Sequence, residues 1–295
     1  MAQSSAFLTY DAVGNKEDLS DIVTNISPTE TPFLSRFGKV KATGRYHEWT
    51  TDALASAATN AQIEGVDYSF SKLSARTRTG AYTQIFITDV EVSDTQRMVD
   101  KAGFDDEFSY QMAKAMKEHA RDIELALVTG TGNSGASGTA RELKGVLSWI
   151  TTNNITGTGT GNEALTETMF NDCLEDIWDQ GGSPDYAYAN GGQKRAISAF
   201  TGSATKNINA TEKEVVVGVD VYDSDFGRIK IVPHRLMTSS VVAILTNDLW
   251  KVATLRGTKK VDVAKIGSST RAVIETELTL ESRQQAGSGK ITQLS

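Results

Sequence analysis

Apolar residues recur at steps of three and four between positions 105 and 128, which is the spacing of one face of an α-helix. This stripe consists of Phe108, Met112, Met116, Ala120, Ile123 and Leu127. Asp105, Asp106 and Glu107 occupy the predicted first turn, where carboxylates interact favourably with the helix dipole, and Gly130 follows the predicted end. At about 1.5 Å per residue the helix would be about 35 Å long, well above the usual length. The pattern predicts a long strut in an extended subunit.

Ahead of this helix, the pattern predicts a long two-stranded hairpin. Its limbs, residues 44–51 and 69–87, have no continuous apolar face, and residues 53–61 between them are small and weakly hydrophobic. An isolated two-stranded ribbon is marginally stable in water, so this hairpin should need another surface to lie on. We expect that surface to belong to another copy of the chain.

Downstream of the long helix, the periodicity alternates between helix and strand. Residues 168–178 form a second amphipathic helix pattern, and residues 185–189 predict a buried strand. Asn190 is suited to cap a short helix that ends near Phe200, although Gly191 and Gly192 follow it. The last third of the chain alternates as β-strands do, with turn residues between the strands. Its predicted strands are 215–221, 228–232, 241–245, 249–255, 272–280 and 290–294.

This order of parts resembles the major capsid proteins of tailed bacteriophages, which share the Hong Kong 97 fold. In that family, a strand followed by Asn and a short helix belongs to the axial domain, and residues 185–200 look like this element. Pro often follows the Asn in the family, whereas Gly191 follows Asn190 in this chain. The resemblance implies an α+β fold with a long spine helix. The implied parts are an N-terminal arm (1–43), an extended hairpin loop with the start of the peripheral domain (44–100), the spine helix with the peripheral domain (101–155), an axial domain (156–255) and return strands of the peripheral domain (256–295).

The resemblance also implies a function and a set of partners. Many copies would assemble into hexamers and pentamers of an icosahedral or prolate head around double-stranded DNA, without sequence-specific DNA binding. A portal protein would be a partner, and a decoration protein is left open. The arm shows no long charged coiled-coil pattern, so a separate scaffolding protein is expected if there is one. The protein would lie in the virion after assembly in the host bacterial cytoplasm.

The arm before the hairpin reads as an extended tether. Pro28 and Pro32 interrupt it and favour extended residues before them, and Phe33 and Leu34 could anchor its end in a core or on a neighbour. A basic stretch follows, whereas residues 145–193 contain acids and no Lys or Arg. Such segregation suits contacts between copies, although solvated surface is the simpler alternative for any one residue. The candidate contacts between subunits are Arg36, Lys39, Lys41, Arg45, Trp49, Phe70, Arg76 and Arg78.

Composition disfavours the other functional classes. A net charge of −7 argues against a dedicated nucleic-acid binder, and no apolar run is long enough to cross a membrane. The single cysteine, Cys173, excludes an intramolecular disulfide and falls in a helical apolar register, so we expect a buried structural thiol.

Motifs for catalysis are weak. The Gly130, Gly132 and Gly135 pattern follows a helix instead of a strand, so a loop is expected in place of a phosphate cradle. The three histidines, His47, His119 and His234, have no metal-like spacing. We expect no enzyme activity, no cofactor and no metal. The alternatives are another phage structural protein, such as a tail-tube subunit, and a cytosolic nucleotide-using enzyme.

Overall fold

The computed structural model describes residues 30–68, 70, 72–99, 106–157, 163–200 and 221–295. The helices in these ranges are α1 (Pro32–Arg36), α2 (Asp94–Met98), α3 (Glu107–Thr129), α4 (Val146–Trp149), α5 (Glu167–Asp179) and α6 (Gly191–Ser198). The first seven strands are β1 (Gly38–Lys41), β2 (Tyr46–Thr51), β3 (Thr77–Tyr82), β4 (Gln84–Ser93), β5 (Thr131–Asn133), β6 (Glu142–Lys144) and β7 (Asn153–Thr156). The others are β8 (Tyr186–Ala189), β9 (Val221–Ser224), β10 (Gly227–Pro233), β11 (Val242–Leu245), β12 (Trp250–Val263), β13 (Ser269–Ser282) and β14 (Gly289–Thr292).

The long helix α3 lies close to the bounds that its sequence pattern predicts. The Asp106 side chain caps it by accepting hydrogen bonds from the N–H groups of Phe108 and Ser109, and Gly130 follows its last residue. The predicted stripe is wrong at Met116, which is 48% exposed. The buried face passes instead through Ala115 and His119. His119 is polar, so a purely hydrophobic pattern could not count it as part of the core.

One face of a four-stranded sheet packs against α3. Its strand order is β1-β12-β13-β4, with β1 parallel to β12 and the other pairs antiparallel. Phe108 of α3 packs with Val90, Val92 and Ile274 of the sheet in one apolar cluster. We call the opposite face of this sheet the outer face.

A six-stranded sheet forms the second half of the fold, in the order β7-β14-β11-β8-β10-β9. Helices α5 and α6 contribute Phe170, Leu174, Ile177 and Ile197 to the apolar cluster on one side of it. The predicted helix 168–178 and strand 185–189 are confirmed. Asn190 caps α6 as expected, because its side chain accepts a hydrogen bond from the N–H of Gly192.

The two sheets divide the C-terminal strands differently from the sequence grouping. Residues 272–280 and 290–294 were both expected in the peripheral domain, but β14 pairs with β11 and β7 in the six-stranded sheet. Conversely, β12 starts at Trp250, inside the range expected for the axial domain, and pairs with β1 and β13. Alternation identifies a strand but carries no information about its partner, so these pairings could not be read from the pattern.

The segment around α1 joins the two sheets. Phe33 is fully buried, stacks on Phe37 and meets the ring of Tyr188 on β8 edge-on at 4.7 Å. Phe37 in turn lies near Trp250 of β12. Of the two alternatives left open by the sequence, Phe33 anchors this part of the arm in the core of its own subunit. Residues 32–36 form a helix where an extended tether was expected. Residues 1–29 of the arm and 215–220 of a predicted strand lie outside the described residues.

Candidate functional site: an exposed ribbon and its base

A two-stranded ribbon projects from the four-stranded sheet. β2 and β3 pair in antiparallel fashion from Tyr46 opposite Tyr82 to Thr51 opposite Thr77. We call these two strands the ribbon and residues 52–76 at its far end the excursion. The second predicted limb, 69–87, is wrong as one strand, because the chain leaves the ribbon at Tyr82 and enters the four-stranded sheet at Gln84.

The excursion exposes large apolar side chains. Its described residues form no helix or strand, and they are almost all exposed. Leu54 is 100% exposed, Phe70 95% and Leu73 89%, and Ile63 and Tyr68 are also exposed. Exposed apolar residues concentrated in one segment indicate a surface that binds a partner.

A buried carboxylate holds the point where the chain passes from the ribbon to the sheet. Glu277 of β13 is 4% exposed and accepts a hydrogen bond from the hydroxyl of Thr83 at 2.7 Å. Arg141 donates to the same carboxylate at 2.9 Å, and Arg256 donates at 2.8 Å. Thr83 is the one residue between β3 and β4, and its N–H donates to the carbonyl of Arg45 just before β2.

The charge of Glu277 is stabilised where it lies. Burial acts to raise its pKa, but hydrogen bonds from Thr83 and Arg256, together with the charges of Arg256 and Arg141, hold the pKa below the usual range of a glutamate. The carboxylate is therefore ionised at neutral pH. Three donors around one buried charge give a rigid connection.

A second buried carboxylate contacts the other strand of the ribbon. Glu281 is four residues beyond Glu277 on β13, so the two side chains lie on the same face of the strand. His47 of β2 contacts Glu281 through Nε2 at 2.9 Å. Nearby, Trp49 of β2 packs against Trp149 of α4 with ring centroids 5.5 Å apart. The ribbon base is thus fastened to its own subunit on both strands.

Beyond the ribbon base, the outer face of the four-stranded sheet is open. Ile87 is 61% exposed there, and Val261 and Val263 are 43% and 41% exposed. The register places Ile87 opposite Glu275, and Val261 opposite Val273, so these side chains share that face. Glu91, Arg271 and Glu275 lie on the same face, so it offers both apolar and charged side chains for contact with another surface.

The predicted contact residues fall into four groups, of which Arg76 and Arg78 form the last. Arg36, Lys39, Lys41 and Arg45 are exposed along the segment from α1 to β2, and the guanidinium of Arg36 lies 5.5 Å from the ring centre of Tyr186. Phe70 is exposed in the excursion. Trp49 is half-buried in its own subunit, as described above.

Arg76 and Arg78 were expected to face acidic surface on neighbouring copies, and within the subunit they also have local partners. Arg78 pairs with Glu48 at 3.0 Å across the ribbon, and Arg76 pairs with Asp52 at 3.6 Å where the excursion begins and ends. Antiparallel pairing brings these residues together, which the sequence spacing does not reveal. Their side chains are nevertheless 73% and 72% exposed, so each keeps a face open to solvent.

A third buried carboxylate joins α3 to Phe33 and Leu34, which we call the root of the arm. Glu124 is fully buried and accepts hydrogen bonds from the N–H groups of Phe33 at 2.7 Å and Leu34 at 2.9 Å. His234, which follows β10, contacts the same carboxylate through Nε2 at 2.8 Å. The N–H of Leu236 donates to Nδ1 of His234, so Nε2 carries the proton that binds Glu124.

The glycine-rich stretch, the cysteine and His119 each have a structural role in the subunit. Thr131–Asn133 pairs with Glu142–Lys144, so the glycine-rich stretch after α3 belongs to a small hairpin. Cys173 is buried on α5, and burial raises the pKa of its thiol. His119 contacts Thr88 through Nδ1 and Thr276 through Nε2. Across the described ranges, no three His, Cys, Asp or Glu residues group as metal ligands, and no helix is long and apolar enough to span a membrane.

Sequence reasoning missed Glu124, Glu277 and Glu281. Glu277 and Glu281 alternate with apolar residues on β13, which is also the pattern of a solvated strand face. Their burial depends on the ribbon folding over that face. Glu124 interrupts the apolar face of α3, and an acid at a core-facing helical position was the one available signal.

Comparisons with known proteins agree over the whole chain. The family model for SU10 major capsid proteins matches residues 4–295. The major capsid protein of Escherichia phage Phieco32 is 25% identical over 341 residues, covering 98% of this chain and 97% of that protein. The capsid asymmetric unit of cyanophage A-1(L) has a TM-score of 0.72 at 14% identity, covering 97% and 98% of the two chains. The capsid of a native GTA particle has a TM-score of 0.70 at 10% identity and covers 100% of both.

Proposed function

The chain belongs to the SU10 major capsid protein family, and from this premise we propose how its subunits build the shell. It is a phage major capsid protein with the Hong Kong 97-type α+β fold, and its function is to form capsid shells. Copies associate as hexamers and pentamers and close into an icosahedral or prolate head around double-stranded DNA. The protein is part of the virion, and assembly takes place in the host cytoplasm.

The exposed excursion is the observation that carries this proposal. Leu54, Phe70 and Leu73 contact almost nothing in their own subunit. The excursion of one subunit lies over the outer face of a neighbour, where Ile87, Val261 and Val263 are open. Burying apolar area contributes about 25 cal/mol per Å², so a few such side chains at each contact stabilise a shell with many contacts.

The two sheets give the domains of the subunit. The four-stranded sheet with α3 is the peripheral domain, and the six-stranded sheet with α5 and α6 is the axial domain. This assignment keeps the order of parts expected from the sequence. It moves β14 to the axial domain and the start of β12 to the peripheral domain, because each strand pairs there. Loops of the axial domain meet at the centre of each capsomer.

The remaining partners follow from the role of a head subunit. A portal protein occupies one vertex, a separate scaffolding protein guides assembly, and a decoration protein could bind outside. The net charge of −7 supports a container that does not hold its DNA tightly, since DNA binding needs a surplus of Lys and Arg. Catalysis is not part of this function.

Electron microscopy of the protein expressed in bacteria tests the proposal. We expect closed shells made of five-fold and six-fold clusters. Tubes of uniform diameter would favour a tail-tube subunit instead. A compact monomer whose melting temperature rises with added ATP or NAD would favour a nucleotide-using enzyme, because a ligand that binds the folded state stabilises it.

A further inference from the structure

The direction of the ribbon depends on a small set of side chains at its base. The ribbon is six residue pairs long, or about 20 Å. β3 continues into β4 of the four-stranded sheet through the single residue Thr83, whereas the four residues 42–45 connect β1 of the same sheet to β2. A rotation of about 10° at the base would move the far end by about 3 Å, which is enough to break van der Waals contacts.

Three separate parts of the subunit meet at Glu277 beside this point. Thr83 comes from the junction between β3 and β4, Arg141 from the hairpin that follows α3, and Arg256 from β12. The register of β12 on β13 shifts on both sides of Arg256. Such an irregularity redirects a side chain, and here the guanidinium of Arg256 reaches the buried carboxylate.

We propose that Thr83 and Glu277 are positioning residues that set the angle at which the ribbon leaves the subunit, and through it the curvature of the shell. This inference rests on the function proposed above. Glu277 ties the ribbon to β12 and to the hairpin after α3, so the excursion is presented in one direction. Glu281 and His47 support the second strand of the ribbon in the same way.

Substitutions at Thr83 can distinguish a role in positioning the ribbon from a role in folding the subunit. Thr83→Val replaces the hydroxyl by a methyl group of similar size and removes the hydrogen bond to Glu277, whereas Thr83→Ser keeps the hydroxyl. Glu277→Gln removes the charge that Arg141 and Arg256 bind. Glu142→Gln is the matched control, because Glu142 is an exposed carboxylate next to Arg141 that bonds only to Thr131 among the contacts described.

Shells of each variant would be measured by electron microscopy for diameter and closure, and unassembled subunits by thermal melting. We expect Thr83→Val and Glu277→Gln to lose the single shell diameter and to give open sheets or mixed sizes, with Thr83→Ser and Glu142→Gln like the wild type. Wild-type diameters and closure for folded Thr83→Val would overturn the inference, even if Glu277→Gln fails to fold. Absence of shells from the wild type would instead overturn the proposed function.

Discussion

Three glutamates place their carboxyl groups in the interior, and each is met by donors from distant parts of the chain. Glu124 binds the root of the arm and His234, Glu277 binds Thr83 and two arginines, and Glu281 binds His47. A buried charge is costly unless it is paired and hydrogen-bonded. These residues therefore connect segments whose relative position would otherwise be weakly determined.

Truncation of Glu124 should loosen the root of the arm. Glu124→Ala leaves three buried donors without an acceptor, the N–H groups of Phe33 and Leu34 and Nε2 of His234. Each unsatisfied donor costs about 1–3 kcal/mol, so we expect a loss of at least about 3 kcal/mol in the free energy of unfolding.

Denaturant unfolding of the unassembled subunit measures this loss. Glu118→Ala is the control on the same helix, since Glu118 is exposed and pairs with Lys114, and it should change stability by about 0.5 kcal/mol or less. Equal effects of the two substitutions would contradict the account of Glu124.

His119 should make the subunit less stable in weak acid. Burial lowers its pKa below the ordinary value of 6.5, against the opposing charge of Asp122. Between the folded pKa and 6.5 the unfolded chain binds more protons, so stability falls as the pH drops below about 6.5. His119→Gln removes this contribution. We expect a smaller loss of unfolding free energy between pH 7.5 and pH 5.5 in His119→Gln than in the wild type, and an equal loss would show that His119 does not contribute.

At the scale of helices and strands, the sequence predicted those features whose causes lie within the element or next to it. The bounds of α3 followed from its apolar period, its acidic first turn and Gly130, all of which lie within the helix or next to it. The division between β3 and β4 could not be predicted, because threonine is a residue type that favours strands and so gives no sign of a break at Thr83. Its place as a junction depends on Glu277, which is 194 residues away in sequence.

The arginines of the ribbon allow a test of local against intermolecular pairing. Arg76→Glu with Arg78→Glu breaks the pairs with Asp52 and Glu48, and adding Asp52→Arg and Glu48→Arg restores them with reversed charges. Exposed pairs contribute about 0–1 kcal/mol each, so neither change should unfold the subunit.

If the exposed faces of Arg76 and Arg78 meet acidic surface on a neighbour, the double reversal should slow shell formation and the fourfold exchange should not restore it. Light scattering follows the rate of shell formation. Moderate salt should reduce the difference between the variants. Full recovery in the fourfold variant would show that the local pairs are sufficient.

At the scale of the whole molecule, the subunit combines two well-packed sheets with a projecting ribbon that ends in an excursion almost without internal contacts. The apolar clusters of the sheets account for its folding, whereas Leu54, Ile63, Tyr68, Phe70 and Leu73 contribute little to it. The sequence revealed this division through the small, weakly apolar segment between the limbs. The sequence could not reveal which sheet contains β14, because the pairing of strands distant in sequence depends on how the whole subunit packs.

Deletion of the excursion is the most direct test of the central claim that it acts between copies. Residues 53–75 would be replaced by Asn-Gly, which suits a two-residue turn between the paired strands β2 and β3. Circular dichroism and thermal melting should match the wild type, while sedimentation and electron microscopy should show subunits or capsomers and no closed shells. Normal shells from the deleted protein, or a deleted protein that does not fold, would contradict the account.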